Sequence, residues 1–533
     1  MKTNTHSCQQ PSQQQPCASG QQPSCSHPGQ QTSQSHPGKL PSCSHPAHQL
    51  CVIGLGYVGL PLARLFSTKY KTIGFDRNHN RVAEIMSGHD STMELDERLL
   101  KEAIEKNGFL CTSELEKIKE CNIYIVAVPT PVDENNRPDL TPLVGASRTV
   151  GKVISPGDIV IYESTVYPGV TEEECIPIIE AESGLTYNKD FYAGYSPERI
   201  NPGDKEHTVE KIKKVTSGST PQVAEIVDNL YNSVLINGTH KAPSIRVAEA
   251  SKIIENSQRD VNIAFMNELA KIFNAMGIDT RDVLEAASSK WNFIKMSPGL
   301  VGGHCISVDP YYLIQKAQVY GVLPRIMTSA RRLNDGMGAY VAEQTIKCMN
   351  KKGVLVKDSR ILILGITFKE NCPDTRNTKV LDIYHTLSEY TRNITIYDPW
   401  ANPDSVAREY GLTITPALPE VATAGAGAGT VSEVPAGCAA AGAGAAGAGS
   451  GGELPAACPA AGTATEVPAA AAGVAAEVPA SCPAAAAGKY DAIILAVAHN
   501  QFKDLNYKAL LAPNGIIYDV KGFLPREIVD ARL

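Results

Sequence analysis

One stretch constrains this chain more than any other: Leu50-Cys51-Val52-Ile53, then Gly54-x-Gly56-x-x-Gly59, then Leu60-Pro61-Leu62 opening an amphipathic helix. An apolar run, a glycine turn and a helix in that order form the first βα unit of a doubly wound sheet. The first glycine permits the tight turn, and the second lets backbone approach a pyrophosphate. The third lets helix and strand pack closely, and the helix N-terminus favours the anion. Asp76 closes the next apolar run, Thr72–Phe75, and lies 22 residues past Gly54. A carboxylate there accepts from ribose hydroxyls and repels a 2′-phosphate, which favours NAD over NADP; Arg77 beside it weakens that preference slightly.

Short apolar runs at 123–128 and 159–162 continue this unit, and a second α/β unit is marked by runs at 361–364, 394–397, 493–496 and 516–518. Such runs alternating with helical stretches predict mostly parallel sheets. Between the two units, Ile253, Val261, Ala264, Phe265, Leu269, Ile272 and Phe273 recur close to a helical period and predict one long helix over about 244–276, largely buried. The expected fold class is therefore α/β: two Rossmann-like doubly wound parallel-sheet domains joined by a long central helix and helical region. The expected domains are a low-complexity, disordered segment at 1–48, an NAD-binding Rossmann domain at 49–240, a central helical region at 241–345, and a Rossmann-like domain at 346–533. Gly365 follows the first strand of the second unit, but no further glycines complete a dinucleotide motif there.

Composition narrows the function classes. A net charge of −7 gives no reason to expect nucleic acid, and no apolar run reaches the roughly 18 residues of a membrane span. The N-terminus lacks the pattern of a secretory signal, so a cytoplasmic location is expected. Of 14 cysteines, half fall in two low-complexity segments and the rest are scattered, which suits a reducing compartment. The Cys and His residues of the first 48 fit no closed metal site, so no metal is expected. Residues 420–488 are almost wholly Ala, Gly, Pro, Val and Glu, with a recurring Glu-Val/Leu-Pro-Ala tetrad, and are expected to be a disordered surface insertion within the second unit.

The chemistry points to Gly302-Gly303-His304-Cys305, followed by Asp309-Pro310. Glycines beside a cysteine permit close approach to a ligand, and a thiol with a lowered pKa is a strong nucleophile. A buried packing cysteine is the plainer alternative. On the predicted helix, Glu249, Lys252, Asn256 and Arg259 share one face at steps of three and four. Ammonium and amide donors on that face could stabilise an oxyanion.

Several ordered motifs resemble the nucleotide-sugar dehydrogenase family, which includes UDP-glucose and GDP-mannose 6-dehydrogenases. They are Gly54-Leu-Gly-Tyr-Val-Gly-Leu-Pro-Leu, Val128-Pro-Thr-Pro, Glu163-Ser-Thr-Val-Tyr-Pro-Gly, Tyr195-Ser-Pro-Glu-Arg, Lys252-Ile-Ile-Glu-Asn-Ser-Gln-Arg-Asp-Val-Asn, Gly302-Gly-His-Cys and Phe368-Lys-Glu-Asn-x-x-Asp-x-Arg. The resemblance covers about 49–419 and 489–525 and implies two NAD-dependent oxidations at C6 through a thiohemiacetal and a thioester on Cys305. The Gly-His-Cys-Ile-x-Val-Asp-Pro-Tyr-Tyr segment looks like the branch acting on UDP-N-acetylhexosamines. UDP-N-acetylglucosamine is the expected substrate, with the mannosamine and galactosamine isomers and UDP-glucose as alternatives, and polysaccharide biosynthesis as the destination.

By matching positions, the resemblance assigns Lys252 and Asn256 to the C6 oxygen, Asp309 to water or Lys252, Glu198 to proton transfer in hydrolysis, and Thr165 to positioning water. It assigns Gly54, Gly56, Tyr57, Val58, Gly59, Asp76, Arg77, Thr130, Thr165 and Arg376 to the cofactor. Lys252, Asn256, Arg259, Lys369 and Lys521 are assigned to the sugar nucleotide. It also implies a homodimer or higher homo-oligomer, with 241–345 as the dimerisation and catalytic domain and 346–533 as the UDP-sugar-binding domain. A 6-phosphogluconate-type hydroxyacid dehydrogenase, yielding one NADH per substrate rather than two, is a rival. A scaffold built on an inactive dehydrogenase is a more distant one.

Overall fold

The computed structural model describes residues 48–133, 135–200, 208–418 and 489–533. The expectations for 1–48, His48 apart, and for the 420–488 insertion lie outside the described residues.

The first sheet contains β1 (Gln49–Ile53), β2 (Lys71–Phe75), β3 (Leu110–Thr112), β4 (Ile123–Val126), β5 (Ile159–Tyr162), β6 (Tyr192–Tyr195), β7 (Lys214–Gly218) and β8 (Thr239–Lys241). Its order is β3-β2-β1-β4-β5-β6-β7-β8. The first six strands are parallel in the Rossmann order, with the crossover direction reversing between β1 and β4. β7 runs antiparallel to β6, the one antiparallel pair among the described strands of a sheet expected to be mostly parallel. β4 and β5 are buried along their whole length, as central strands covered on both faces must be.

The second sheet contains β9 (Ile361–Leu364), β10 (Ile394–Tyr397), β11 (Tyr490–Leu495), β12 (Leu511–Asp519) and β13 (Ala531–Arg532), in the order β10-β9-β11-β12-β13 and all parallel. This is the other common doubly wound order, with its switch point between β9 and β11.

The helix Ile245–Met276 joins the two units. The Ser244 side chain accepts the Val247 N–H at 3.3 Å at its start, and Gly277 at φ 72° ends it. At 1.5 Å per residue its 32 residues reach about 48 Å. Glu249, Lys252, Asn256, Asp260 and Asn267, spaced at helical intervals, are all buried. Each of these polar groups therefore needs a partner, and the helix acts as a ruler along which the site is assembled. The expectation that the apolar positions are largely buried fails at Phe265 and Ile272, which are 54% and 46% exposed. Ile254 and Met276 are exposed with them, so this helix has a second, uncovered apolar edge. No helix among the described residues is long and apolar enough to cross a membrane.

Candidate active site

The three glycines of the first turn do three different jobs. Gly54 has φ +92°, and a Cβ on it would lie 2.8 Å from the Ala127 carbonyl oxygen. A Cβ on Gly59 would lie 1.8 Å from the Gly54 carbonyl oxygen, so helix and turn are in direct backbone contact. A Cβ on Gly56 would meet nothing within 4 Å. The turn is thus packed behind Gly54 and Gly59 and open in front of Gly56. No side chain caps the helix Gly59–Ser67. Asp76 takes the Leu55 N–H at 2.9 Å on one oxygen and the Asn78 N–H at 2.9 Å on the other, which fixes the carboxylate beside the turn. A cavity of about 170 Å³ follows, lined by Gly54, Asp76, Arg77, Val128, Pro129 and Pro142. An open glycine, a fixed carboxylate and an apolar slot are what a dinucleotide needs. Sequence reading missed Arg81, whose Nε donates to the Leu55 carbonyl at 3.0 Å while its guanidinium pairs with Asp90 at 2.6 Å. Thr130 and Thr165 meet on the same rim, the Thr130 hydroxyl donating to the Thr165 carbonyl at 2.8 Å.

Cys305 lies on a loop held from two sides. From the second unit, Asn377 accepts the Gly303 N–H at 3.3 Å on its carbonyl and donates its amide to the Gly303 carbonyl at 3.2 Å. Gly303, at φ +83°, lies against Phe368 so closely that a Cβ would come within 2.6 Å of the ring. From the long helix, Asn267 donates to the Gly299 carbonyl at 3.0 Å and accepts the Gly299 N–H at 2.8 Å. Lower on the same helix face, Asp260 pairs with Arg331 at 2.5 Å and accepts from Asn334 at 2.7 Å.

The Cys305 carbonyl then accepts the Asp309 N–H at 2.8 Å, which turns the chain into the helix Asp309–Val319. Asn256 donates to Asp309 at 2.6 Å. Burial pushes Asp309 up to about 6, against the opposing pull of Lys252 and the Asn256 bond. Burial also raises the Cys305 thiol; Lys252 opposes this most strongly, Asp309 reinforces it, and Arg376 and Arg259 oppose it more weakly. Lys252, Asn256, Cys305 and Asp309 are therefore one electrostatic group. Arg259 lies at its edge and is exposed. His304 is pushed down to about 4 by burial and by Arg376, so it is neutral at pH 7.

Glu249, from the same helix face, is not part of this group. Its two oxygens accept the Gly169 and Thr171 N–H groups at 2.6 and 2.9 Å, a structural role. Glu198 sits behind β6, accepting the Arg199 and Ile200 N–H groups and facing Lys214 at 3.4 Å. Lys214 was missed, because a lysine in Lys-Val-Thr-Ser-Gly does not read as a core residue.

The second unit supplies the far wall. Arg376 makes a bidentate pair with Asp374 and lies 4.5 Å from the Tyr57 ring centroid, so it reaches the first glycine turn. Lys369 follows Phe368 on the loop against Gly303. Lys521, after β12, lines a cleft with Gly302, Phe368, Glu370, Lys379 and Val497. It also borders a cavity of about 650 Å³ with Arg281, Lys295, Pro298 and Arg532. The cations of that cavity, Arg281, Lys295, Lys521 and Arg532, outnumber its acidic side chains, Asp282 and Glu285, and the space has room for an anionic nucleotide. Among the described residues there is no cluster of His, Cys, Asp and Glu able to hold a metal ion.

The open cradle and its carboxylate define an NAD-dependent dehydrogenase with a second α/β domain. Models of the UDP-glucose/GDP-mannose dehydrogenase family match in sequence order: the NAD binding domain at 48–235, the central domain at 246–336 and the UDP binding domain at 362–431. UDP-N-acetyl-D-glucosamine 6-dehydrogenase of Pseudomonas aeruginosa is 50% identical over 488 residues, covering 91% of this chain and 99% of that protein. The Salmonella typhi protein of the same name is 48% identical, covering 91% and 98%. The solved structure of UDP-D-ManNAc dehydrogenase from Pyrococcus horikoshii superposes with a TM-score of 0.72 at 26% identity, covering 91% of this chain and 98% of that one. The chain belongs to the UDP-glucose/GDP-mannose dehydrogenase family and is an NAD-dependent nucleotide-sugar dehydrogenase.

Proposed function

We propose that this enzyme oxidises C6 of UDP-N-acetylglucosamine to the uronic acid through a covalent intermediate on Cys305. The observation that carries the reading is the meeting of the Cys305 loop with the Lys252–Asn256 face, where Lys252 opposes the burial that keeps the thiol protonated. The similarity to two UDP-N-acetyl-D-glucosamine 6-dehydrogenases at about half identity supports this sugar.

Bound NAD supplies the hydride acceptor for both oxidations. Lys252 and Asn256 hold the C6 oxygen and its developing charge. Once the aldehyde forms, the Cys305 thiol adds across it: sulfur bonds C6 and a proton passes to the oxygen. Lys252, the group that most opposes burial at Cys305, favours the attacking thiolate, and because the thiol proton ends on the oxygen the addition releases no net proton. Capture on sulfur keeps the aldehyde in place until it becomes a thioester. Asp309, held by Asn256, orients Lys252; Thr165 positions water, and Glu198 takes its proton. Tyr57, Val58, Thr130 and Arg376 line the cofactor, while Arg259, Lys369 and Lys521 receive the sugar nucleotide. The domains follow the same division, with NAD on 49–240, the chemistry on 241–345 and the nucleotide sugar on 346–533. The exposed apolar edge of the long helix supports a homodimer, and use of NAD and a nucleotide sugar supports a cytoplasmic enzyme feeding polysaccharide synthesis.

The test is a panel of UDP-sugars with NAD, counting NADH per sugar. Two equivalents with UDP-N-acetylglucosamine, and an acyl adduct on Cys305 by intact mass, are expected. One equivalent, or preference for the mannosamine or galactosamine isomer, overturns the reaction or the sugar respectively. Cys305→Ser is expected to bind NAD normally and form no carboxylate.

A further inference from the structure

Behind Glu198 lies a charged cluster whose other members the chemistry above does not use. Lys214, on β7, is 1% exposed. Its ammonium bonds Glu163 at 2.5 Å and Glu198 at 3.4 Å. The Tyr231 hydroxyl, from the helix Pro221–Asn232, donates to the other Glu163 oxygen at 2.5 Å. Burial works against the Lys214 charge, but Glu163 and Glu198 outweigh it and hold its pKa above the usual lysine value. Burial raises Glu163 to about 7, with Lys214 opposing and Glu198 reinforcing. Two carboxylates thus share one cation, away from water.

Glu198 is the outermost member. One oxygen accepts the Arg199 and Ile200 amides, and the other faces Lys214. Arg199 is in turn paired with Glu255 at 2.7 Å, next to Asn256 on the long helix. A buried polar network with its members paired in this way rigidifies them.

We propose that Lys214 is a positioning residue for the hydrolytic half of the reaction: bridged between Glu163 and Glu198, it holds Glu198 as an oriented carboxylate that takes the proton of the attacking water. This rests on the reading of Glu198 and Cys305 given above. In that step the water oxygen bonds the acyl carbon, one water proton passes to Glu198, the carbon–sulfur bond breaks and its electron pair returns to Sγ. The products are the carboxylic acid, the Cys305 thiolate and protonated Glu198.

The groups that set the charge at Glu198 are Lys214 from β7, Glu163 at the end of β5, Tyr231 through Glu163, and Arg199 with its partner Glu255. Removing the cation and removing the competing carboxylate must therefore act in opposite directions. Lys214→Met is expected to lower kcat about 100-fold, on the scale of losing general-base assistance. Its substrate KM should stay within about twofold, and its first burst of NADH should persist. The acyl–Cys305 adduct accumulates, and half-maximal deacylation moves to higher pH. Glu163→Gln, which leaves Lys214 wholly to Glu198, moves it to lower pH. A merely structural cluster shifts neither limb, or both the same way.

Should Lys214→Met not fold, the double variant Lys214→Met/Glu163→Leu removes the pair together and is expected to show the same adduct. Normal deacylation in the folded variant, or shifts of one sign, overturns the proposal. Glu198→Gln separates the two levels of inference. If it accumulates adduct and Lys214→Met does not, only the role of Lys214 falls. If no variant forms adduct, the Cys305 reading falls with it.

Discussion

The two sheets carry the same turn and put it to different uses. After β1 stands Gly54 and after β9 stands Gly365, both at φ +92°. In each, the next residue donates its N–H to an aspartate at the end of the neighbouring strand: Leu55 to Asp76 at 2.9 Å, Ile366 to Asp398 at 2.7 Å. Beyond that point they diverge. The first turn runs on through Gly56, where a side chain would meet open space, and Asp76 faces a cavity. The second is sealed. Asp398 accepts amides from Ile366, Thr367, Trp400 and Ala401. His499 closes it, accepting the Asn371 N–H on Nδ1 at 2.9 Å and so presenting a protonated Nε2 to Asp398 at 3.0 Å. A carboxylate so fully engaged has no capacity left for a ribose. The second turn is a pin, and what it pins is the loop carrying Phe368, Lys369 and Arg376 against Gly303 and Tyr57. One backbone geometry makes a cradle when open and a mount when filled.

The packed glycines of the two turns are the most sensitive positions. Gly59→Ala drives a Cβ into the backbone of the turn and is expected to cost more than about 4 kcal/mol, enough to lose soluble folded protein. Gly365→Ala combines a positive φ with a 2.4 Å approach to Val497. About 3 kcal/mol is expected in chemical denaturation, from strain and overpacking together. Either variant folding with unchanged stability would show that the turn is looser than this packing implies.

Next comes the sealed carboxylate. Bonds from His499 and the backbone amides outweigh burial and hold Asp398 below its usual pKa. A depressed carboxylate contributes stability that is present above the unfolded value of about 3.9 and is lost as pH falls through the folded one. Asp398→Asn is therefore expected to lose about 2–3 kcal/mol at pH 7. Its deficit against the parent should shrink on acidification below about pH 4. A deficit that does not vary with pH would mean the site is held by shape rather than charge.

How much of this the sequence shows depends on how local the cause is. The strands at 159–162, 361–364 and 394–397 appear with the expected bounds, because continuous β-branched and leucine runs admit little else. The glycine turn and Asp76 are legible for the same reason, since one backbone conformation demands them. β6 and β7 were missed. Tyr-Ala-Gly-Tyr and Lys-Val-Thr-Ser-Gly lack an apolar run, and their burial is set by the sheet they join. Lys214 and His499 were invisible because their partners lie 51 and 101 residues away, at Glu163 and Asp398. The polar stripe of the long helix was legible as a stripe. Which of its members face chemistry and which face structure, Asn256 against Glu249, is decided only by what packs opposite.

The open turn tolerates a side chain without threat to the fold. Because a Cβ at Gly56 meets no atom, Gly56→Ala is expected to leave thermal stability within about 0.5 kcal/mol of the parent. It should raise the KM for NAD at least about tenfold, since the pyrophosphate needs that space. Loss of stability with unchanged KM would place the cofactor elsewhere.

The smallest effect lies where the two turns touch. Arg376 belongs to the loop that the sealed turn mounts, and Tyr57 to the open one; the guanidinium carbon lies 4.5 Å from the ring centroid. Arg376 is also held bidentate by Asp374 and raised above the usual arginine value, burial opposing and Asp374 winning, so the cation cannot be discharged. Tyr57→Leu keeps the apolar surface and removes the ring face. The lost attraction is about 1 kcal/mol for a half-buried pair, or roughly fivefold in affinity. If that contact couples the domains, the loss falls on the KM for NAD and the KM for the sugar nucleotide alike, measured at saturating concentration of the other substrate. A change in the NAD value alone would make Tyr57 a cofactor contact and nothing more, leaving the two turns linked only through the Cys305 loop.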